Sequence, residues 1–323
     1  MKSQTKDNGE QHPASLTFVH LLMTVSQKNI YTGIGLAVLA TLIWSGNFII
    51  ARGVIKDIPP ISLAFYRWLL ASVIILPFAI KKFRTEWTAV KRSWHYLFWV
   101  SLTGVALFNT FVYIGAHYTS AINLALIGTT SSPIMSIVMA RIFLKEPIGW
   151  LKLLGLVFCI VGVLFLLSAG NFQNLAAHKY STGDLWVLAA AFCFAVYNTL
   201  VKKKPASISP VNFLFVAFAF GTIMLFPFYI WEINHSGAVN WNTDLLLAIL
   251  YLGLGASVIC FLIWNIAIGK LGAGRTALFG NLIPVFSSIE AVVLLNEEFT
   301  RVHIISMIIV FTGILLANLR LLR

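Results

Sequence analysis

The sequence predicts an all-α polytopic membrane protein of ten transmembrane helices, arranged as two inverted repeats of five, with both termini in the cytoplasm. Three observations predict it. Of 323 residues, 59% are apolar and 11% charged, whereas a soluble domain carries about 25% charged residues; the mean hydropathy is +0.87. Ten stretches approach the length of about 20 apolar residues that a helix needs to cross a bilayer. With the N-terminus placed inside, 18 of the 23 Lys and Arg fall on the cytoplasmic side, as the positive-inside tendency requires.

The elements follow in order. Residues 1–30 are a cytoplasmic tail with Lys2, Lys6 and Lys28, whose apolar run Ala14 to Ser26 is too short to cross and is read as mobile or interface-lying. The first span, Tyr31 to Ala51, leads to Arg52 and Lys56 outside. The second, Ile61 to Ile80, returns to Lys81, Lys82, Arg84, Lys91 and Arg92. The third, Tyr96 to Ala116, and the fourth, Ala121 to Phe143, bring the chain out and back to Arg141, Lys145 and Lys152. The fifth, Trp150 to Ala169, exits toward Lys179. The sixth, Gly183 to Val201, comes back to Lys202, Lys203 and Lys204, and the seventh runs from Asn212 to Trp231. The eighth, Leu245 to Ala267, precedes Lys270 and Arg275; the ninth, Ala273 to Asn296, faces Arg301 across the outer loop. The tenth, Val302 to Leu319, delivers Arg320 and Arg323 to the inside. One span missed or invented would scramble this bias. Ten spans consume roughly 200 residues, so function has to be built within the membrane. Tyr31, Trp94, Trp150, Trp186, Trp231 and Trp241 lie near span ends and are expected at the lipid–water interface.

Several function classes drop out. Cys159, Cys193 and Cys260 sit in apolar stretches with no disulfide framework or metal spacing. The net charge of +12 is spread in short clusters between spans, which orients helices and does not grip nucleic acid. No HExxH, Walker A or GxSxG pattern occurs, so neither ATP hydrolysis nor membrane enzymology is indicated and no cofactor is expected. Energy then comes from a gradient or from exchange. The expected partners are a small-molecule substrate and the lipid bilayer; protons and a second copy of the chain in a homodimer stay open.

The chain repeats. At an offset of 150, Pro60 meets Pro210, Phe65 meets Phe215 and Pro77 meets Pro227; at 151, Asn47 meets Asn198, Gly104 meets Gly255, Pro133 meets Pro284, Ser136 meets Ser287, Glu146 meets Glu297 and Gly162 meets Gly313. The halves are 31–170 and 181–321. Five is odd, so the second half enters from the opposite side, and alternating access follows naturally from such inverted halves. Corresponding interruptions, Thr129 to Pro133 and Gly280 to Pro284, are the sequence's pointer to a binding site or to a packing kink.

The run Leu42-Ile43-Trp44-Ser45-Gly46-Asn47-Phe48, the Pro59-Pro60 with Ala64-Phe65-Tyr66-Arg67-Trp68, and Phe143-Leu144-Lys145-Glu146-Pro147 leading to Gly155 and Gly162 resemble the EamA-type transporters of the drug/metabolite transporter superfamily. Pro284-Val285-Phe286 and Leu294-Leu295-Asn296-Glu297-Glu298, ending at Gly313, repeat the pattern. The resemblance implies a ten-helix inverted-repeat carrier in a bacterial inner membrane, its central cavity lined by the first, third and fourth helices of each half. Members move amino acids, other metabolites or drugs. Ala217 stands where Arg67 has its repeat mate, so any role of Arg67 is not duplicated.

Two ionisable residues lie well inside spans, Arg67 and Glu290; such residues are functional candidates because of their insertion cost. Both sit about 9 Å from the same face at about 1.5 Å per residue, so they are within reach of one another, as a structural ion pair or as substrate and proton sites. Asn109 and Tyr113, spaced i, i+4, share a helix face whose mates are Cys260 and Trp264. Trp44, Asn47 and Phe48 are answered by Phe194, Tyr197 and Asn198. Aromatic walls with a few amides suit solutes with an apolar body and a polar head, although such rings also pack helix on helix. The candidate substrate residues are therefore Trp44, Asn47, Arg67, Asn109, Tyr113, Tyr197, Asn198, Trp264 and Asn281, with Glu290 as the coupling site. Glu146 and Glu297 at span ends are read as loop-holding, and His117 as an interface histidine. The expected function is secondary transport of small organic metabolites, foremost amino-acid or metabolite export, with a multidrug or nucleoside-like carrier, or a membrane receptor or enzyme, as alternatives.

Overall fold

The structure is a computed structural model that describes residues 13–54, 56–118, 121–176, 181–236, 239–295 and 300–322, and every regular element among them is helical. The first half contains α1 (Pro13–Gly53), α2 (Pro60–Thr85), α3 (Trp87–Arg92), α4 (Trp94–Ser101), a π-helical turn (Leu102–Leu107), α5 (Phe108–Tyr118), α6 (Ala121–Leu144), α7 (Trp150–Leu167) and α8 (Gln173–Ala176). The second contains α9 (Thr182–Lys202), α10 (Pro210–His235), α11 (Thr243–Leu250), a π-helical turn (Tyr251–Ile259), α12 (Cys260–Leu271), α13 (Ala273–Leu278), a 3-10 turn (Phe279–Asn281), α14 (Leu282–Leu295) and α15 (Arg301–Leu322). Among the described residues, seven helical runs are long and apolar enough to cross a bilayer. The remaining expected spans coincide with α6, α7 and the run α13 to α14.

The outer surface explains the composition. Phe78, Leu185, Ile223, Ile308 and Leu315 all project outward, each more than half exposed, where a water-soluble protein would hide such a continuous apolar surface. Lipid covers it in a multi-pass membrane protein. Tyr31, Trp94, Trp150, Trp186, Trp231 and Trp241 are exposed as well.

Packing joins the two halves intimately. Helix α2 packs on α10, α7 on α15, α5 and α6 on α9, and α1 on α12 and α14. Two of these pairs bring repeat mates face to face: Ser72 Oγ lies 3.4 Å from Thr222 Oγ1, and Cys159 Sγ lies 3.7 Å from the Val310 carbonyl. Between α7 and α15, a Cβ added at Gly155 would stand 2.4 Å from the Gly313 carbonyl oxygen, so the two backbones touch, as small residues permit in membrane helix pairs.

Helices α2 and α10 run antiparallel and cap each other. The Glu232 carboxylate, near the C-terminal end of α10, accepts from Ile61 N at 3.0 Å, Ser62 N at 2.6 Å and Ser62 Oγ at 2.8 Å. At the opposite end Glu86, which follows α2, accepts from Ser209 N at 2.9 Å, Ser209 Oγ at 3.1 Å and Asn212 Nδ2 at 2.7 Å. Helix N-termini leave unpaired N–H groups and a partial positive charge, which a carboxylate satisfies. Both helices start with Pro at N1 after an extended Pro59 or Ser209, so their own caps are weak and the partner supplies the acceptor.

Some expectations are corrected. From Pro13 the segment before the first span is helical and continuous with it, α1 being a single helix of 41 residues, since no Pro or Gly interrupts the chain between Ala14 and Tyr31. Pro133 lies inside an unbroken α6, as membrane helices tolerate, whereas the Gly280 stretch does break its helix into a 3-10 turn. Glu297 lies outside the described residues, as do Asn296 and Lys179.

Candidate functional site: a cavity around Arg67

Arg67 is only 1% exposed, in the first half of α2. Its Nε donates to Ser257 Oγ at 2.6 Å; Nη1 donates to Asn47 Oδ1 at 2.9 Å, Asn109 Oδ1 at 2.9 Å and Tyr113 OH at 2.7 Å; Nη2 donates to the Ala256 carbonyl at 3.0 Å. The guanidinium also lies 4.9 Å from the Trp68 ring centre, a cation–π distance. Four elements converge on this one group: α1 brings Asn47, α2 the arginine, α5 Asn109 and Tyr113, and the second π turn Ala256 and Ser257.

The π turn makes this convergence feasible. Ser257 Oγ donates to Leu252 O, five residues back, at 2.8 Å, and a wider turn displaces carbonyls from the regular ladder. The Ala256 carbonyl accepts from Trp44 Nε1 at 2.8 Å as well as from Arg67. The first π turn, Leu102–Leu107, stands at the equivalent place in the other half, and both contain a glycine of the repeat, Gly104 and Gly255.

Every partner of Arg67 is electrically neutral. Among the described residues the one ion pair is Lys152 Nζ with Glu146 Oε2 at 3.5 Å, so the expected meeting of Arg67 with Glu290 does not occur. Neutral oxygens already surround the guanidinium, and Glu290 on α14 turns instead to α1. There its Oε1 lies 2.5 Å from Ser45 Oγ, while Oε2 is buried without a partner among the described residues.

Arg67 borders a cavity of about 70 Å³, room for a handful of waters. Of the expected residues, Trp44, Asn47, Arg67, Asn109 and Trp264 line it. Phe108 and Phe194, stacked at 4.5 Å, complete the aromatic wall. Tyr113 stands behind, fixing Arg67. Asn198 is one layer back: its Oδ1 accepts from Trp264 Nε1 at 2.9 Å and its Nδ2 donates to Ser136 Oγ at 3.3 Å. Tyr197 packs against Gly104 and donates to Asn265 Oδ1 at 2.8 Å. Asn281 is fully buried and donates to Leu278 O at 2.9 Å, closing the 3-10 break. Tyr197, Asn198, Asn281 and Glu290 therefore do not border the cavity. A larger open hollow of about 500 Å³ lies over Lys56, His117 and Glu232 and shares no lining residue with it.

Sequence reading missed Ala256, Ser257 and Phe108. A backbone carbonyl has no residue-type signature, and nothing in Gly253-Leu254-Gly255-Ala256-Ser257 announces a π turn.

The chain is similar to known proteins over most of its length. An uncharacterized transporter of Archaeoglobus fulgidus is 30% identical over 88% of this chain and 96% of its own. A probable amino-acid metabolite efflux pump of Escherichia coli is 23% identical over 86% and 92%. A solved crystal structure shares the fold with a TM-score of 0.70, over 91% of this chain and 97% of that one, at 17% identity. The family of EamA-like transporters matches twice, over residues 31–168 and 181–319. With the sequence pattern doubled, the two halves interlocked and the matches spanning nearly the whole chain, this membrane protein belongs to the EamA-like transporter family.

Proposed function

We propose that the chain is a secondary transporter that exports small organic metabolites of amino-acid size across a bacterial inner membrane by alternating access. The observation that carries the reading is a buried, uncompensated cation lining a cavity where both halves of the chain meet: α1, α2 and α5 on one side, the π turn, α9 and α12 on the other. A charge within a membrane span is retained where it serves a solute or ion path. Relatives named as amino-acid metabolite efflux pumps, at 23% and 25% identity, support export of metabolites.

The two-state requirement is supported by the packing. Antiparallel α2 and α10, with Ser72 against its mate Thr222, suit halves related by a two-fold axis in the membrane plane. Ten crossings with both termini inside then place the Lys56, His117 and Glu232 hollow outside and Glu86 inside. Glu290 is the proposed proton-coupling site. Ser45 Oγ lies 2.5 Å from both Leu42 O and Glu290 Oε1, and its single proton serves only one of them; a proton on Glu290, donated to Ser45 Oγ, satisfies both.

Counterflow tests the reading. Liposomes holding the purified protein and preloaded with an unlabelled amino acid or carboxylate should accumulate the labelled form of the solute that binds. Binding without movement would favour a receptor and end the proposal.

A further inference from the structure

The central cavity holds one charge, and nothing in its lining answers it. Arg67 is the sole ionisable side chain among the cavity's described residues, which include no Asp, Glu, His or Lys. Its five hydrogen-bond partners are neutral oxygens. An unsatisfied donor borders the same space: Asn109 is 2% exposed, its Oδ1 faces Arg67, and its Nδ2 has no acceptor among the described residues. A buried N–H without a partner is costly, and a guanidinium without a counter-charge in a membrane span more so. Both deficits are of one kind. The cavity offers positive charge and a free amide donor, and lacks negative charge. Apart from Asn47, whose oxygen faces Arg67, and the Ser132 hydroxyl, the rest of its wall is apolar, with Trp44, Phe108, Phe194 and Trp264 as its rings.

We infer that the cavity selects monocarboxylates with an aromatic or other apolar body and no ammonium group, the carboxylate lying between Arg67 and the Asn109 amide. The inference rests on the carrier reading above and narrows its solutes. An α-amino acid carries the same carboxylate together with an ammonium. That ammonium finds no carboxylate in the described lining, and although rings accept cations on their faces, here it shares a low-dielectric space with Arg67 and is repelled. The deaminated analogue keeps every favourable contact and loses the unfavourable one. The Asn109 amide works as part of this filter: its oxygen is occupied by Arg67, so it presents only a donor to the solute.

Three probes that share a phenylethyl skeleton and differ in the charged groups they carry test this: 3-phenylpropionate, L-phenylalanine and phenethylamine, each added to the purified full-length protein near pH 7.5 while thermal stability is followed. 3-Phenylpropionate should raise the melting temperature in a saturable way, with a dissociation constant at least tenfold below that of phenylalanine, and phenethylamine should have no effect. Equal or tighter binding of phenylalanine, any binding of phenethylamine, failure of all three, or equal protection by chloride at the same ionic strength would overturn the inference. Asn109→Asp removes the free donor and sets a carboxylate beside Nη1, so it should erase the preference for 3-phenylpropionate; a preserved preference in a folded variant overturns the assignment of the site. The wild-type comparison stands even if the variant does not fold. Counterflow of the same solutes separates the two readings: transport of phenylalanine but not of 3-phenylpropionate sinks this inference and leaves a carrier. Selective binding without counterflow sustains the inference and removes the carrier.

Discussion

At the scale of single residues, Arg67 ties together the groups around it and, in the proposed carrier, faces the solute, and the balance between these two roles is measurable. Its guanidinium gathers Asn47, Asn109, Tyr113, Ser257 and the Ala256 carbonyl, a planar five-donor pattern that the three-donor ammonium of lysine cannot reproduce. Arg67→Lys should keep the charge and reduce transport, while Arg67→Ala should abolish it in protein that still inserts and elutes as a single species. Loss of folding in both variants would instead mark Arg67 as purely structural. Glu290 gives a second residue-scale outcome. Glu290→Gln imitates the protonated carboxyl, can donate to Ser45, and should lose acceleration by an imposed pH gradient while retaining exchange between equal solute pools in proteoliposomes. A full response to the gradient in that variant would exclude Glu290 from coupling. What the sequence revealed at this scale was residue type and depth: Arg67, Trp44, Asn47, Asn109 and Trp264 were found because charge, amide and ring chemistry is rare on a span face. Tyr197 and Asn198 have the same chemistry on the mated face, yet they are turned into packing by Gly104 and Trp264, a distinction that only side-chain direction resolves.

At the scale of elements, the carboxylate caps bind α2 to α10 at both ends, and the two ends differ in exposure. Glu232 is 4% exposed and accepts three donors, so Glu232→Gln, which turns one acceptor oxygen into a donor facing N–H groups, should destabilise the protein by about 1–3 kcal/mol, read as a lowered melting temperature in detergent. Glu86 should respond to pH. Burial pushes its carboxyl upward, but hydrogen bonds from Asn212 and Ser209, with Lys82 nearby, outweigh this and hold it below its ordinary value of 4.5. A carboxylate lowered in the folded state contributes stability that is complete above the unfolded value and lost as pH falls through the folded one. Wild type should therefore lose more stability than Glu86→Gln on acidification through and below about pH 4.5, and identical acid profiles would count against the cap. The helices themselves were legible from apolar length and charge alternation, which are direct consequences of bilayer thickness. The break at Gly280 was flagged by its Gly and Pro, whereas the π turns were not, because a one-residue change of hydrogen-bond register leaves apolar periodicity nearly intact.

At the scale of the whole molecule, the proposed orientation rests on the 18 basic residues assigned to one side. A reporter fused after Arg323 should read cytoplasmic and one inserted between Asn234 and Asn242 should read external; the reverse at either site would overturn the ten-crossing arrangement. The doubling of the chain was readable because the offsets of 150 and 151 preserve Pro, Gly and Asn at matching depths. How the halves touch was not readable, since mates such as Cys159 and Val310 share no chemistry and meet only through backbone approach.

The end caps also bear on the history of the duplication. At an offset of 150, the position matching Glu86 is Ser236 and the position matching Glu232 is Lys82. The two acids therefore stand four residues, about one helical turn, apart in the repeat register, yet each reaches the start of the facing helix. The duplicated halves keep the bond and not the position that makes it, so laying one half on the other residue by residue hides this pair.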